Sequence, residues 1–245
     1  MSTDNLSPRL SLLHKVELDW ITPDPEKVIA KHARTSTKEP DRPEYIKLLT
    51  YCIKHGHVSV FEQACASYEI ITTRSISPQI LRHRSFCFQE TSQRYCNPFD
   101  VLGDLVGDPA SFEFRGQDLK NRQNSVEYGN DEVELKYRGE VQELYAAAQR
   151  LYEAMVGDGV ARECARNILP LCAPTRLHMQ GNLRSWIFYV GLRSAPGTQA
   201  EHRYIANLIG RDLRRRIPDT INAIIDVAHS DDSMGLRGWK FIDAG

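Results

Sequence analysis

Among six cysteines and eight histidines, the sequence has no C-x-x-C pair and no histidine–cysteine spacing of the zinc type. Neither a metal site nor a disulfide framework is expected, and a reducing, cytoplasmic compartment fits best. Charge of one sign is also missing, since 31 basic residues face 32 acidic ones for a formal net charge of −1. A chain whose main task is to hold nucleic acid needs a basic excess to displace counterions, so that class is disfavoured. No stretch approaches 18 uninterrupted apolar residues, and the first twenty residues lack a basic start followed by an apolar run. Neither a membrane span nor secretion is expected. The signatures G-x-G-x-x-G, G-x-x-x-x-G-K-[ST], H-E-x-x-H and G-x-S-x-G are absent too, so any cofactor is held by some other scaffold. There is no internal repeat and no low-complexity segment.

What is there is an ordinary globular composition, 41% hydrophobic and 26% charged over 245 residues, enough to bury a substantial core. Alternation over Val16–Ile21 predicts a strand, ended by Thr22-Pro23-Asp24-Pro25, with Asp24 as N-cap of a helix over 25–34. Tyr45, Ile46, Leu48, Leu49, Cys52 and Ile53 form the stripe of a second helix that stops at Lys54-His55-Gly56. The β-branched run from Ala66 to Ile76 predicts a central strand. Ser77-Pro78 then starts a helix of one or two turns on which Gln79, Arg82 and His83 share a face, and Ser92 to Tyr95 returns as a short extended segment.

Residues 97–131 show no sustained period and read as a long excursion or flap. A long helix follows over 132–157, then a short one over 160–169. A strand over 175–182 runs into a helix capped by Asn182, and two further helices cover 199–217 and 218–229.

The densest polar group is Arg82-His83-Arg84-Ser85-Phe86-Cys87-Phe88-Gln89-Glu90-Thr91-Ser92-Gln93-Arg94-Tyr95. Guanidinium forks match phosphate and carboxylate oxygens in pairs, and two of them around a histidine make a local positive field. Arg166, Arg184 and Arg193 recur on later helices. If those helices pack around the central strand, the arginines line one pocket, and a phosphorylated small molecule would supply the anion they need.

Arg82-His83-Arg84, seven residues, then Ser92 is an R-H-R-x7-S signature, and the chain resembles the flavin-dependent thymidylate synthases. Ala33-Arg34-Thr35-Ser36, His55 to Glu62, Glu90 to Tyr95, Asn182-Leu183-Arg184-Ser185, and Leu192-Arg193 followed by Gln199 and Glu201 resemble further segments of that family, in the expected order. The resemblance implies an α+β fold with a central mixed sheet flanked by helices, one domain over 1–245, and an insertion at about 97–131. It implies an enzyme that methylates dUMP to dTMP, with methylenetetrahydrofolate as carbon donor and NADPH as reductant through FAD, in a homotetramer whose sites are shared between subunits. Carried over by motif, Ser59, Arg82, His83, Arg84, Glu90, Asn182 and Arg184 contact FAD. Gln79, Arg82, Glu90, Ser92, Gln93, Arg94, Arg166 and Arg193 contact dUMP, with Arg193 as the catalytic group.

Methylation at C5 needs electron density pushed toward C5, and a guanidinium near N3 and the carbonyl oxygens stabilises the ring anion that provides it. In this family no protein thiolate need attack C6, so Cys87 is expected as a packed thiol and Ser92 as a hydroxyl donor to phosphate. Phe188 stands where members often have an asparagine. The competing class is a nucleotide- or RNA-binding module without catalysis, and a third is a family-like protein that has lost its flavin.

Overall fold

The computed structural model describes residues 8–103, 107–230 and 234–242. Its main sheet contains β1 (Lys15–Ile21), β2 (Cys65–Thr73), β3 (Cys87–Glu90) and β6 (Pro174–Asn182), in the order β1-β2-β6-β3. The α+β class stands, but the expected mixed sheet is antiparallel at every pairing. Each excursion between neighbouring strands returns the chain to the same end of the sheet from which it left, so the pairing that results is antiparallel.

Ala66, Tyr68 and Ile70 of β2 and Leu177 and Met179 of β6 alternate onto one face and are fully buried, the period-two pattern of a half-covered sheet. The other face is polar. There Asp19 Oδ2 accepts from Ser67 Oγ at 2.8 Å and from His178 Nδ1 at 2.9 Å, while Glu69 meets Arg176 at 3.2 Å.

The helix α8 (Leu183–Arg193) covers the apolar face, and the buried Trp186 Nε1 donates to the Ala66 carbonyl at 3.1 Å. Next come α9 (Ala200–Arg216) and α10 (Pro218–Ser230), the latter packed on α3 (Ile46–Lys54). Tyr68 donates to Asp212 Oδ2 at 3.0 Å and so ties α9 to the central strand.

Remaining elements depart from expectation in informative places. Asp24 does not cap α2 (Pro25–Ala33): it sits in the left-handed region at φ 45° with no side-chain cap bond, and its carboxylate meets Lys27 at 3.3 Å instead. Asn182 does cap α8, accepting from the Ser185 N–H at 2.9 Å. The long helix α6 (Asp131–Gly157) matches its periodicity. The helix expected over 160–169 is α7 (Arg162–Ala165) followed by a 3₁₀ turn over Arg166–Ile168.

The 97–131 excursion carries α5 (Pro98–Leu102) and a hairpin of β4 (Gly116–Gln117) and β5 (Ser125–Val126). It is tied down by Arg115, which pairs with Glu201 of α9 at 2.6 Å, and by Arg138 of α6, which donates to the Phe112 carbonyl at 3.3 Å. Residues 104–106 of the excursion lie outside the described residues. The fold also includes α1 (Pro8–Leu13), before β1, and α4 (Ser77–Ile80), after β2.

Candidate active site

The arginine block begins where β2 ends. Pro78 lies in the first turn of α4, where its missing N–H costs nothing. The helix stops after that turn, and the chain continues as two turns, with the His83 N–H on the Ile80 carbonyl at 3.0 Å and the Phe86 N–H on the His83 carbonyl at 3.2 Å.

From there the block runs along α8, against the direction of that helix. At the end of α8, Arg193 Nε donates to His83 Nε2 at 2.9 Å. Midway, the Phe86 ring stands edge-on to Trp186 and Tyr189, with centroids 4.6 and 5.8 Å away. Near the start, Ser185 Oγ donates to the Ser85 carbonyl at 3.5 Å. This close approach depends on Gly181, where a Cβ would come within 2.4 Å of the Phe86 ring.

A guanidinium can only donate, so His83 Nε2 is the acceptor and the imidazole is neutral with its proton on Nδ1. Burial first, and the Arg193 charge second, lower its pKa to about 4. Behind it the buried Tyr189 hydroxyl lies 3.0 Å from His202 Nε2. His202 is held down at about 3 by burial, then by Arg193 and His83. His14, 2.9 Å from the Thr72 hydroxyl, is likewise lowered to about 4 by burial.

All three stay neutral in the folded chain where the unfolded chain takes up protons. Their contribution to stability is therefore full above pH 6.5 and is lost as pH falls from 6.5 toward 4. Thermal melts between pH 7.5 and 4.5 should show the midpoint dropping over that window, and dropping less steeply in His202→Asn. Equal slopes for the two proteins would refute this origin of the acid sensitivity.

The motif residues fall into three places. Gln79, His83 and Arg193 meet at the junction of α8 and α9, where Gln79 Nε2 donates to Gln199 Oε1 at 2.7 Å. Ser59, on the 3₁₀ turn Val58–Gln63, belongs to the start of α8 with Asn182 and Arg184, because Glu62 of that turn pairs with Arg184 at 2.6 Å. The Arg184 guanidinium lies over the Phe188 ring, 5.8 Å from its centroid. Glu90, Ser92, Gln93, Arg94 and Arg166 make up the third group, around the end of β3 and α7.

In that third group Glu90 accepts from Ser77 at 2.5 Å and Thr175 at 2.9 Å and pairs with Arg74 at 3.0 Å. Arg94 reaches Glu163 at 3.2 Å. Gln93 is buried with its Nε2 unpartnered, and Arg166 is half-buried. Arg82 and Arg84 are exposed between the first two groups, with no ion-pair partner among the described residues.

The expectation that one chain gathers all these arginines into a single pocket is thus corrected. The nine-residue separation of Arg184 and Arg193 on one straight helix holds them about 14 Å apart along its axis. Ser92 to Tyr95 is not extended but a turn, with the Tyr95 and Cys96 N–H groups both on the Ser92 carbonyl at 3.0 and 3.1 Å. Cys87 is not packed but exposed: β3 is an edge strand, and alternation that turns Phe86 and Phe88 inward turns Cys87 out. Tyr189 and His202, which back the His83–Arg193 contact, had no local sequence signal. Their 13-residue separation acquires meaning only once α9 folds back along α8.

Residues 17–219 match the family model described as thymidylate synthase complementing protein. A flavin-dependent thymidylate synthase from Synechocystis sp. is 40% identical over 210 residues, covering 86% of this chain and 94% of the relative. The chain belongs to the flavin-dependent thymidylate synthase family. A Thermus thermophilus flavin-dependent thymidylate synthase is 32% identical over 196 residues, covering 79% of this chain and 69% of the relative. Among solved structures, a UMP/dUMP methylase, PolB, from Streptomyces cacaoi bound with 5-Br dUMP shares the fold. It has a TM-score of 0.72 and 21% identity, covering 87% of this chain and 95% of that one. For a member of this family, all the motif segments quoted above lie inside the matched span, and α1 lies outside it.

Proposed function

We propose that this chain is a flavin-dependent thymidylate synthase that converts dUMP to dTMP, taking its one-carbon unit from methylenetetrahydrofolate and its reducing equivalents from NADPH. The observation that carries this reading is the 2.9 Å contact of Arg193 with His83, which joins a nucleotide residue and a flavin residue 110 positions apart. FAD, when bound, supplies the redox chemistry that links NADPH to the methylated product.

The donor set suits such a group. Arg82 and Arg84 are exposed cations without ion partners among the described residues, the arrangement a diphosphate requires. Asn182 uses only its Oδ1 in capping α8, which leaves its amide N–H groups to donate, and neutral His83 keeps an Nδ1–H. Ser59 and Arg184 complete the set at the start of α8. Phe188, in place of an asparagine, offers Arg184 an aromatic platform rather than a hydrogen bond.

For the nucleotide, Gln79, Arg82 and Arg193 hold the pyrimidine side, while Ser92, Gln93, Arg94 and Arg166 hold the phosphate side, with Glu90 fixed between Ser77, Thr175 and Arg74. Arg193 has its Nε committed to His83, so its terminal nitrogens are the ones that face ring oxygens. The charge they place there lowers the cost of the ring anion at C5.

The flavin and nucleotide residues fall into three groups on one chain. We therefore read the assembly as a homotetramer in which one copy completes the site of another. The exposed Leu135 and Leu151 of α6 are apolar surface of the kind such contacts cover. We read residues 1–245 as one domain with 97–131 as an insertion, working in the cytoplasm, where its thiols stay reduced. No described helix is long and apolar enough to cross a membrane.

The test is dUMP-dependent oxidation of NADPH with added FAD and methylenetetrahydrofolate, with dTMP measured as product. A colourless protein that takes up no FAD and makes no dTMP would leave the binding-module reading in its place.

A further inference from the structure

A cavity of about 450 Å³ opens between α1, α6, the excursion and the start of α9, and its lining contains neither Arg193 nor any residue of the 82–95 block. Its size is that of a small-molecule site. Leu10, Leu13, Phe112, Val141 and Leu171 make most of its wall apolar. Part of that wall, Arg9 to His14, precedes residue 17, where the family match begins. The segment before that match thus contributes to the wall.

Two polar groups there lack partners. Tyr145 is 7% exposed, yet its hydroxyl has no hydrogen bond among the described residues. Glu201 gives Oε1 to Arg115 at 2.6 Å but leaves a buried Oε2 unpartnered. Buried polar atoms are rarely left unpaired without a reason, because each forfeits its hydration on burial. The charged groups of the lining, Arg9 and Arg115 against Glu113 and Glu201, are equal in number, with Arg115 between Glu113 at 2.7 Å and Glu201. His14 is neutral. An ion would find no net opposite charge, whereas an uncharged apolar body with one donor would satisfy both the wall and the Glu201 oxygen.

Gln199 also lines the cavity, and it accepts the hydrogen bond from Gln79 at 2.7 Å. An occupant therefore sits one hydrogen bond from a residue assigned to the nucleotide.

We propose that this cavity is a second ligand site, for an uncharged, mainly aromatic molecule bearing a hydrogen-bond donor, and that its occupancy alters nucleotide binding through Gln199 and Gln79. The second clause rests on the reading of the chain as a dUMP-using enzyme; the first does not.

N-phenyl-1-naphthylamine, uncharged and with one N–H, is a suitable fluorescent probe. The full chain should bind it saturably, one per subunit, with a blue-shifted emission. Val141→Trp, which fills the cavity from the half-buried face of α6, should abolish that signal while dTMP formation stays at the wild-type level. Tyr145→Phe should weaken binding roughly five- to tenfold. Saturating probe should shift the half-saturating dUMP concentration at least twofold in the wild type and leave Val141→Trp unchanged.

Absence of saturable binding, or equal binding by wild type, Val141→Trp and Tyr145→Phe, would overturn the site. Probe uptake accompanied by a fall in oligomer mass would overturn it too, marking the cavity as a subunit contact. Binding with an unmoved dUMP dependence would overturn the coupling alone. No dTMP formation at all would overturn the enzymatic reading but leave the fluorescence result standing.

Discussion

Arg193→Ala will lower dTMP formation by about 10²–10³-fold, the cost of removing one aligned donor from a developing anion, while the protein keeps its flavin. The residue is half-buried at the last turn of α8, with Nε on His83 at 2.9 Å. On the proposed assignment its loss removes the charge opposite the pyrimidine carbonyls but leaves Ser59, Arg82, Arg84, Asn182 and Arg184, the residues proposed to hold the cofactor, in place.

Arg193→Lys should recover little, because a single ammonium cannot bond His83 and present a flat fork at the same time. A second readout separates this role from a structural one. The His83 pKa of about 4 owes its lowering first to burial and second to Arg193, so in Arg193→Ala the imidazole should titrate at a higher pH by NMR, still below 6.5. Near-normal turnover in the alanine variant would remove Arg193 from the chemistry, and an unchanged His83 titration would deny the contact.

Trp186→Ala should be the most damaging substitution for stability, costing about 3–5 kcal/mol out of the 5–15 kcal/mol typical of a native domain. The indole is fully buried, bonds the Ala66 carbonyl at 3.1 Å, and stands edge-on to Tyr68, Phe86 and Tyr189 at 5.0, 4.6 and 5.7 Å. It therefore joins the sheet, α8 and the arginine block at one point. Without it Phe86 loses its support, and His83, three residues earlier, loses its fixed distance to Arg193.

Urea titration should show the loss as a lower midpoint, with FAD affinity falling in parallel. Trp186→Phe, which keeps a ring but not the N–H donor, should lose markedly less. A midpoint for Trp186→Ala within 1 kcal/mol of wild type would mean the block is held some other way.

Several features were legible because they depend on neighbours in the chain. The long stripe of α6, the Asn182 cap and the His55-Gly56-His57 stop are local. At that stop Gly56 sits at φ 71° and the His57 N–H closes on the Cys52 carbonyl at 2.8 Å. The α+β class was what the family resemblance implied, and the sheet and helices bear it out. The failures are equally local in origin. Ser92 to Tyr95 has residues tolerated by strand or turn, and no property of those four positions decides between them. Cys87 was expected as a packed thiol because no thiolate chemistry is asked of it, but an edge strand buries only alternate residues.

By itself the sequence determined the residue types and their order: arginines for anions, a histidine between two of them, and no metal, nucleotide-loop or hydrolase signature. That order was enough to mark the family, because ordered spacing survives where side-chain contacts are invisible. Only the tertiary structure decided which of those residues meet. Packing of α8 across β2 and β6 brought Arg193 to His83 and Gln79 to Gln199, and the length of one rigid helix kept Arg184 and Arg193 apart. It also left an apolar cavity under α1 with two unsatisfied polar atoms. Such pairings join positions more than a hundred residues apart, and burial and chain geometry choose them together.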